Sequence, residues 1–227
     1  MKIIGIVGRA FYNKDNQKII QINEDIRKFF AQEDVVTVAL LPPQNRYYVE
    51  TKMGMDQLTE IDRKKLDSLL DLCDGFIIPG GTYWYQFDEY VIEHAIKKDK
   101  PLLAICLGFQ ALCSMFAKER TKFDMTTRIT NEDHYGDSSK YIHNIKINEN
   151  TLLQDILQET EIKVNSVHHD IVNFELKNLK ISALSPDNIV EAVELPEKKF
   201  ILGVQWHPEY LVDENSKKIR QAFINKL

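Results

Sequence analysis

Pro101-Leu-Leu-Ala-Ile-Cys-Leu-Gly-Phe-Gln110 is the stretch on which the fold of this chain turns. Leu102, Leu103, Ala104 and Ile105 form a short unbroken apolar run, the signature of a strand covered on both faces, and residues 109–118 carry apolar side chains at helical spacing. Cys106, Leu107 and Gly108 must therefore turn sharply between strand and helix. Ala104 and Gly108, two residues to either side, supply the small-x-nucleophile-x-small arrangement that such an elbow needs. At a helix start, unpaired amides and the dipole favour an anion, which suits a thiolate, and the Leu107 amide is left free to face an oxyanion. A lone cysteine in an apolar run is otherwise a small core side chain, as Cys73 and Cys113 are expected to be. This segment alone leaves both roles open for Cys106.

Outward from the elbow, apolar runs and helical patterns alternate. Residues 3–7 and 35–41 read as strands and residues 16–31 as a helix between them; Pro42-Pro43 stops the second strand. After an irregular stretch at 44–55, residues 56–71 read as a helix, 75–78 as a strand ending in Pro79-Gly80-Gly81, and 87–98 as the helix leading to the strand before Cys106. This order predicts a doubly wound α/β fold, a mostly parallel sheet flanked by helices in a flavodoxin-like arrangement, with ligands at the carboxyl ends of the strands. The second half changes character. Short runs at 142–147, 162–164 and 181–184, broken by polar loops, suggest a small antiparallel extension before a strand at 200–206 and a helix at 216–225. No repeat or linker divides the chain, so residues 1–227 are expected to form one domain.

With 44% hydrophobic and 28% charged residues, the composition is that of an ordinary globular protein. The net charge of −5, with both signs interspersed, argues against nucleic acid or an anionic membrane as partner and leaves small molecules favoured. Residues 1–8 read as a first strand rather than a signal peptide, and no segment approaches a membrane span. Three cysteines without paired spacing fit a reducing compartment, so a cytoplasmic location is expected.

A thiolate nucleophile needs a base, and the base needs a group to hold its ring. Gly203-Val-Gln-Trp-His-Pro-Glu209 offers both: in an extended segment His207 and Glu209 share a face, and Pro208 keeps His207 out of the helical conformation. A bare His-x-Glu triplet is usually a pair of surface residues; this one follows a strand that ends on the candidate active face. Gly80-Gly81 reads either as a simple turn or as a close backbone approach whose Gly81 amide joins that of Leu107 at an oxyanion. Val164-Asn-Ser-Val-His-His-Asp170 reads as a pocket-lining loop more readily than as a metal site, because consecutive histidines diverge and no third ligand has suitable spacing. No metal or cofactor is expected. His134 and His143 lie in a polar stretch from which either could approach the site, and His94 is expected on a solvated helix face. Gly5-x-x-Gly8 lacks the third glycine and the lysine of a phosphate loop.

Ile-Pro-Gly-Gly81, Ala-Ile-Cys106-Leu-Gly-Phe-Gln110, Asn-Ser-Val-His-His169 and Val-Gln-Trp-His207-Pro-Glu209 together, in this order along nearly the whole chain, resemble the class I glutamine amidotransferase superfamily. The resemblance implies a triad of Cys106, His207 and Glu209 that attacks a γ-glutamyl amide through a thioester, with the Gly81 and Leu107 amides as oxyanion hole. It also implies glutamyl binding by Gln110 and a substrate-lining role for Ser166, Val167 and His168. Trp206 before His-Pro-Glu and the His168-His169 pair look most like the γ-glutamyl hydrolase branch, peptidase C26, whose members include γ-glutamyl-γ-aminobutyrate hydrolases. Leu107 departs from the basic residue usual there, and Thr82-Tyr-Trp-Tyr-Gln-Phe-Asp88 replaces a glycine-rich aspartate loop. Tyr83, Trp84 and Tyr85 either cover the pocket, contact the leaving amine, or pack beneath a surface loop. Two functions fit the resemblance: a free-standing γ-glutamyl amide hydrolase, as a monomer or homodimer, or a glutaminase subunit feeding ammonia to a separate synthase.

Overall fold

A computed structural model of the chain describes residues 1–43, 58–118, 127–128 and 134–227. The loop expected at 44–55 and the first residues of the helix expected from 56 lie outside the described residues. At the centre are three strands buried along their whole length, β5 (Gly75–Ile78), β6 (Leu102–Ile105) and β13 (Ile201–Val204). Side chains covered on both faces explain why these segments read as continuous apolar runs rather than alternating ones. With β1 (Lys2–Val7) and β4 (Val35–Leu40) they make a parallel block in the order β4-β1-β5-β6-β13.

The antiparallel extension continues the same sheet rather than forming a separate layer. β12 (Val190–Glu194), β11 (Lys180–Leu184), β8 (His143–Ile147) and β9 (Glu161–Val164) follow β13 in that spatial order, giving nine strands among the described residues. Two short pairs lie outside it: β2 (Arg9–Tyr12) with β3 (Lys18–Gln21), and β7 (Thr127–Arg128) with β10 (Asp170–Ile171).

Helices cover both faces, as the doubly wound reading requires. On one side α2 (Glu60–Leu70), α3 (Gln86–Lys98) and α4 (Leu107–Met115) bury Leu66, Leu70, Val91, Ala95 and Leu112 in one core cluster. On the other, α1 (Glu24–Phe30), α5 (Leu152–Leu157) and α6 (Glu214–Ile224) bury Ile26, Phe29, Leu153, Leu157, Ile219 and Phe223 in a second. Thr59 and Asp62 form a reciprocal capping box on α2, while Asn23, Thr151 and Asp213 cap α1, α5 and α6 through side-chain oxygens.

The helix expected over residues 16–31 is the main departure. Only Glu24–Phe30 is helical; Lys18–Gln21 pairs with Arg9–Tyr12 as a hairpin. Ile19, Ile22, Ile26, Phe29 and Phe30 repeat at helical spacing across both elements, but Asn23, accepting from the Asp25 amide as an N-cap, starts the helix late. His94 is also not solvated. It is 5% exposed beneath α2, packs edge-on against Phe76, and burial holds its pKa below the usual value against the pull of Asp71 and Asp67. Cys73 and Cys113 are core side chains as expected; burial pushes the Cys73 thiol up to about 11 and that of Cys113 well above its ordinary value.

α4 packs on β5 so closely that a Cβ at Gly108 would stand 2.1 Å from the Ile78 carbonyl oxygen. Backbone cannot yield as a flexible side chain would. Gly108→Ala is therefore expected to destabilise the fold by about 3 kcal/mol, at the upper end of ordinary overpacking. Urea denaturation checks this, and a loss under about 0.5 kcal/mol would mean that α4 slides freely on the sheet.

Candidate active site

Every element of the site sits at the carboxyl edge of the parallel block, where β1, β5, β6 and β13 end side by side. Cys106 follows β6 with φ 52° and ψ −105°, a conformation rare for an L-residue. Two bonds hold it there: its N–H donates to the Val204 carbonyl at 2.8 Å, extending the ladder to β13, and its carbonyl accepts from the Gln110 N–H at 3.0 Å, opening α4. The chain thus passes from ladder to helix across one residue. Leu107, expected in the turn, is already the first residue of the helix, so its N–H has no intrahelical partner.

β13 delivers His207. His207 follows it two residues past Gln205 and is 6% exposed, and its Nδ1 lies 2.7 Å from Glu209 Oε1. This leaves Nε2 as the ring nitrogen not engaged by Glu209. Burial alone would lower the imidazole pKa. The Glu209 carboxylate and the Cys106 sulfur outweigh it and hold His207 well above the ordinary histidine value.

The Pro79-Gly80-Gly81 turn after β5 closes the group. A Cβ on Gly80 would fall 2.7 Å from His207 Cε1 and 3.5 Å from Cys106 Cβ, so only glycine lets thiol and imidazole share this wall. Gly81 stands against Leu107: an added Cβ would meet Leu107 Cδ2 at 3.1 Å. The Gly81 backbone therefore packs against the Leu107 side chain.

A cavity of about 360 Å³ opens over the thiol. Cys106, His207, Glu209, Gly81 and Val167 line it; Leu107, Gln110, Ser166 and His168 do not. Gln110 is 5% exposed, and its Nε2 donates to the Asp170 carbonyl at 3.0 Å and to Gln205 Oε1 at 3.1 Å, so it braces the loop behind the site. Ser166 is buried and donates from Oγ to the His134 carbonyl at 2.7 Å. Of the aromatic loop, Trp84 and Tyr85 are 5% and 4% exposed and Tyr83 is 52% exposed. Trp84 thus packs inward, with Nε1 donating to Glu89 at 3.2 Å. A second cavity of about 250 Å³, lined by Tyr83, Tyr85, Phe11 and Tyr12, adjoins the first and shares Arg9, Ala10, Phe11 and Thr82 with it.

Three contributors were not assigned from sequence. Arg9, just past β1, donates to the Pro79 and Gly80 carbonyls and to the Asp88 carboxylate, gripping the glycine turn. Asn165 holds the backbone of His207 from both sides: its Oδ1 accepts from the His207 N–H and its Nδ2 donates to the His207 carbonyl, each at 2.9 Å. Tyr210 stacks on the imidazole at 4.9 Å between centroids and accepts at its hydroxyl from Asn23 at 2.7 Å. For Arg9 the available signal was its place at the end of the first parallel strand. For Asn165 it was the asparagine that opens Asn-Ser-Val-His-His.

A mixed α/β sheet with a thiol at the β6 elbow and a His-x-Glu at the end of β13 is the arrangement of a class I glutamine amidotransferase-like protein. The profile of the peptidase C26 family matches residues 85–209, and the chain belongs to that family. A protein of Rickettsia prowazekii described as glutamine amidotransferase-like is 30% identical over 221 residues, covering 70% of this chain and 79% of its own. The γ-glutamyl-γ-aminobutyrate hydrolase PuuD of Escherichia coli is 30% identical over 64% of this chain and 67% of its own. A CTP synthase of Lactobacillus helveticus is 27% identical over 73% of this chain, which spans only 36% of that enzyme's length. Among solved structures, the glutaminase domain of Trypanosoma brucei CTPS with bound acivicin superposes with a TM-score of 0.70 at 18% identity, over 100% of this chain and 93% of that one. No helix among the described residues is long and apolar enough to cross a membrane.

Because the folded-state pKa of His207 is raised, its protonated ring stabilises the fold. That contribution is fully present below the ordinary histidine value of about 6.5 and is lost as pH rises through the folded value. Glu209→Gln removes one of the two charges that raise it. The variant is expected to titrate His207 at lower pH by NMR and to lose less thermal stability on the alkaline side than the parent; an unchanged titration would separate Glu209 from the ring.

Proposed function

We propose that the protein hydrolyses a γ-glutamyl amide bond in a small molecule, releasing glutamate and an amine. The observation that carries this reading is the convergence of Cys106, His207 and Glu209 on one cavity at the carboxyl edge of a peptidase C26 fold. Cys106 Sγ attacks the amide carbonyl with the thiol proton held on His207. The oxyanion that forms is met by the Gly81 and Leu107 amides; one such donor is worth about 3 kcal/mol of barrier. His207 then protonates the departing nitrogen, the C–N bond breaks, and a γ-glutamyl thioester remains on Cys106. Water, deprotonated by His207, attacks the thioester to release glutamate and restore the thiol. Glu209 holds the imidazole tautomer and stabilises its cation throughout.

The adjoining aromatic cavity supports a free-standing hydrolase. Lined by Phe11, Tyr12, Tyr83 and Tyr85, it suits the apolar body of a substituted amine better than ammonia. The similarity to CTP synthase and to a CTPS glutaminase domain supports a second reading, a glutaminase that passes ammonia to a separate synthase.

Glutamate release from a panel of γ-glutamyl amines by the isolated protein separates the two. Turnover of a substituted amine without a partner is expected; activity on glutamine alone, and only with a synthase added, would establish the second reading instead. Cys106→Ala is expected to keep the parent's circular dichroism and lose activity on the order of 10³-fold or more. Acid-quenched parent should carry a glutamyl adduct on the Cys106 peptide, and retained turnover in the variant would remove the nucleophile assignment.

A further inference from the structure

Behind the wall of the catalytic cavity, four side chains from distant parts of the chain converge: His134, His143 at the start of β8, His168 in the loop before β10, and Glu191 on β12. Their potential ligand atoms all lie within 4.8 Å of one another. His134 and His168 are nearly sealed from solvent, His143 is mostly so, and Glu191 is 0% exposed. None of the four lines the cavity over Cys106.

The outer nitrogen of every ring is committed to an acceptor. His134 Nε2 lies 3.2 and 3.1 Å from the two oxygens of Asp187, His143 Nδ1 lies 3.0 Å from the Asn144 carbonyl, and His168 Nδ1 lies 3.2 Å from the Asp170 carbonyl. Carbonyls and carboxylates accept, so the outer nitrogens carry the protons and the inner ones present lone pairs. Those inner nitrogens, His134 Nδ1, His143 Nε2 and His168 Nε2, face Glu191 Oε1 at 3.4, 3.7 and 3.7 Å. None of the three, and neither Glu191 oxygen, completes a hydrogen bond. Three lone pairs and a buried carboxylate thus point at one another with no donor between them, an arrangement that a cation resolves.

We propose that His134, His143, His168 and Glu191 bind a structural zinc ion. Three imidazoles and one carboxylate, without thiolate, make a closed tetrahedral set for that metal. Bonds of roughly 2.0–2.1 Å would place neighbouring ligand atoms roughly 3.3 Å apart, so the three separations from Glu191 need contract by only a few tenths of an ångström. A carboxylate or carbonyl behind each ring is the support that zinc-binding histidines ordinarily have. With four protein ligands no position remains for substrate, so the ion's role is to brace. It ties the His134 segment and β8 to β12 and to the loop that carries Asn165, the residue gripping the His207 backbone. Glu191 in the cluster and Asp187 behind the His134 ring supply negative charge that suits a divalent cation.

Full-length Cys106→Ala protein, which lacks the competing thiol, tests the site independently of the proposed reaction. After treatment with EDTA, reloading with zinc chloride and desalting, it is expected to hold roughly one zinc per chain and to gain thermal stability with zinc concentration. Cobalt(II) loaded in its place should give the visible absorption of tetrahedral coordination. Adding Glu191→Gln or His143→Ala should abolish metal retention and the thermal gain; the partly exposed His143 gives a variant that folds even if Glu191→Gln does not. Zinc below about a tenth of an equivalent in the reloaded parent, or equal retention in His143→Ala, would overturn the proposal and leave protons to balance the cluster.

Discussion

The backbone of Cys106 is the constraint on which the rest of this structure depends. Holding an L-residue at φ 52° and ψ −105° costs roughly 1–3 kcal/mol, and nothing local to Cys106 repays it. The repayment comes from both sides. β6 is pinned between β5 and β13, so the Cys106 N–H finds Val204 in register, while α4 lies against Ile78 through a glycine that allows no other residue. Loosening either contact would let the elbow relax towards an ordinary conformation and withdraw the sulfur from the cavity.

His207 is fixed by a different part of the chain. β13 belongs to the parallel block, but its other edge is paired with β12, and through β12 to the antiparallel strands. Asn165, at the end of β9 on the far side of that extension, returns to clasp His207 through two backbone bonds. The antiparallel half therefore supplies the support of the imidazole, and the parallel half positions Cys106. Gln110 links them, reaching from α4 to Gln205 and to the Asp170 carbonyl. Gln110, to which the family resemblance assigns glutamyl binding, has here the contacts of a strut.

What was legible in the sequence follows from this division. β5, β6 and β13 are buried on both faces, so their composition alone marks them, and their abrupt ends in Gly-Gly, Cys-Leu-Gly and His-Pro-Glu mark the active edge. Residues 16–31 misled because one apolar stripe runs through a hairpin strand and a helix, and periodicity does not register the N-cap at Asn23. The histidine cluster was hidden for another reason. Its four members are spread from residue 134 to residue 191, and no local spacing announces them; only the pairing of β8, β11 and β12 brings them to one place. The divergence expected of His168 and His169 does hold, since His169 stacks on Tyr135 at 4.3 Å while His168 turns inward.

Arg9 joins the two cavities in a way neither motif predicts. Its guanidinium takes the Pro79 and Gly80 carbonyls from one side, and a peptide unit is planar and trans. Fixing the direction of the Gly80 carbonyl therefore fixes the Gly81 N–H in the opposite direction, away from Arg9. Asp88 anchors the same guanidinium while accepting the Tyr85 amide, so the aromatic loop and the glycine turn share one ion pair. Arg9 also starts the β2–β3 hairpin, whose Phe11 and Tyr12 line the neighbouring cavity. A group bound between hairpin and aromatic loop presses on both ends of that link, and the peptide plane that carries the proposed oxyanion donor turns with it. Under the proposed hydrolysis, the identity of the leaving amine would bear on the rate of acylation as well as on binding, because Arg9, which walls the neighbouring cavity, also grips the Gly80 carbonyl.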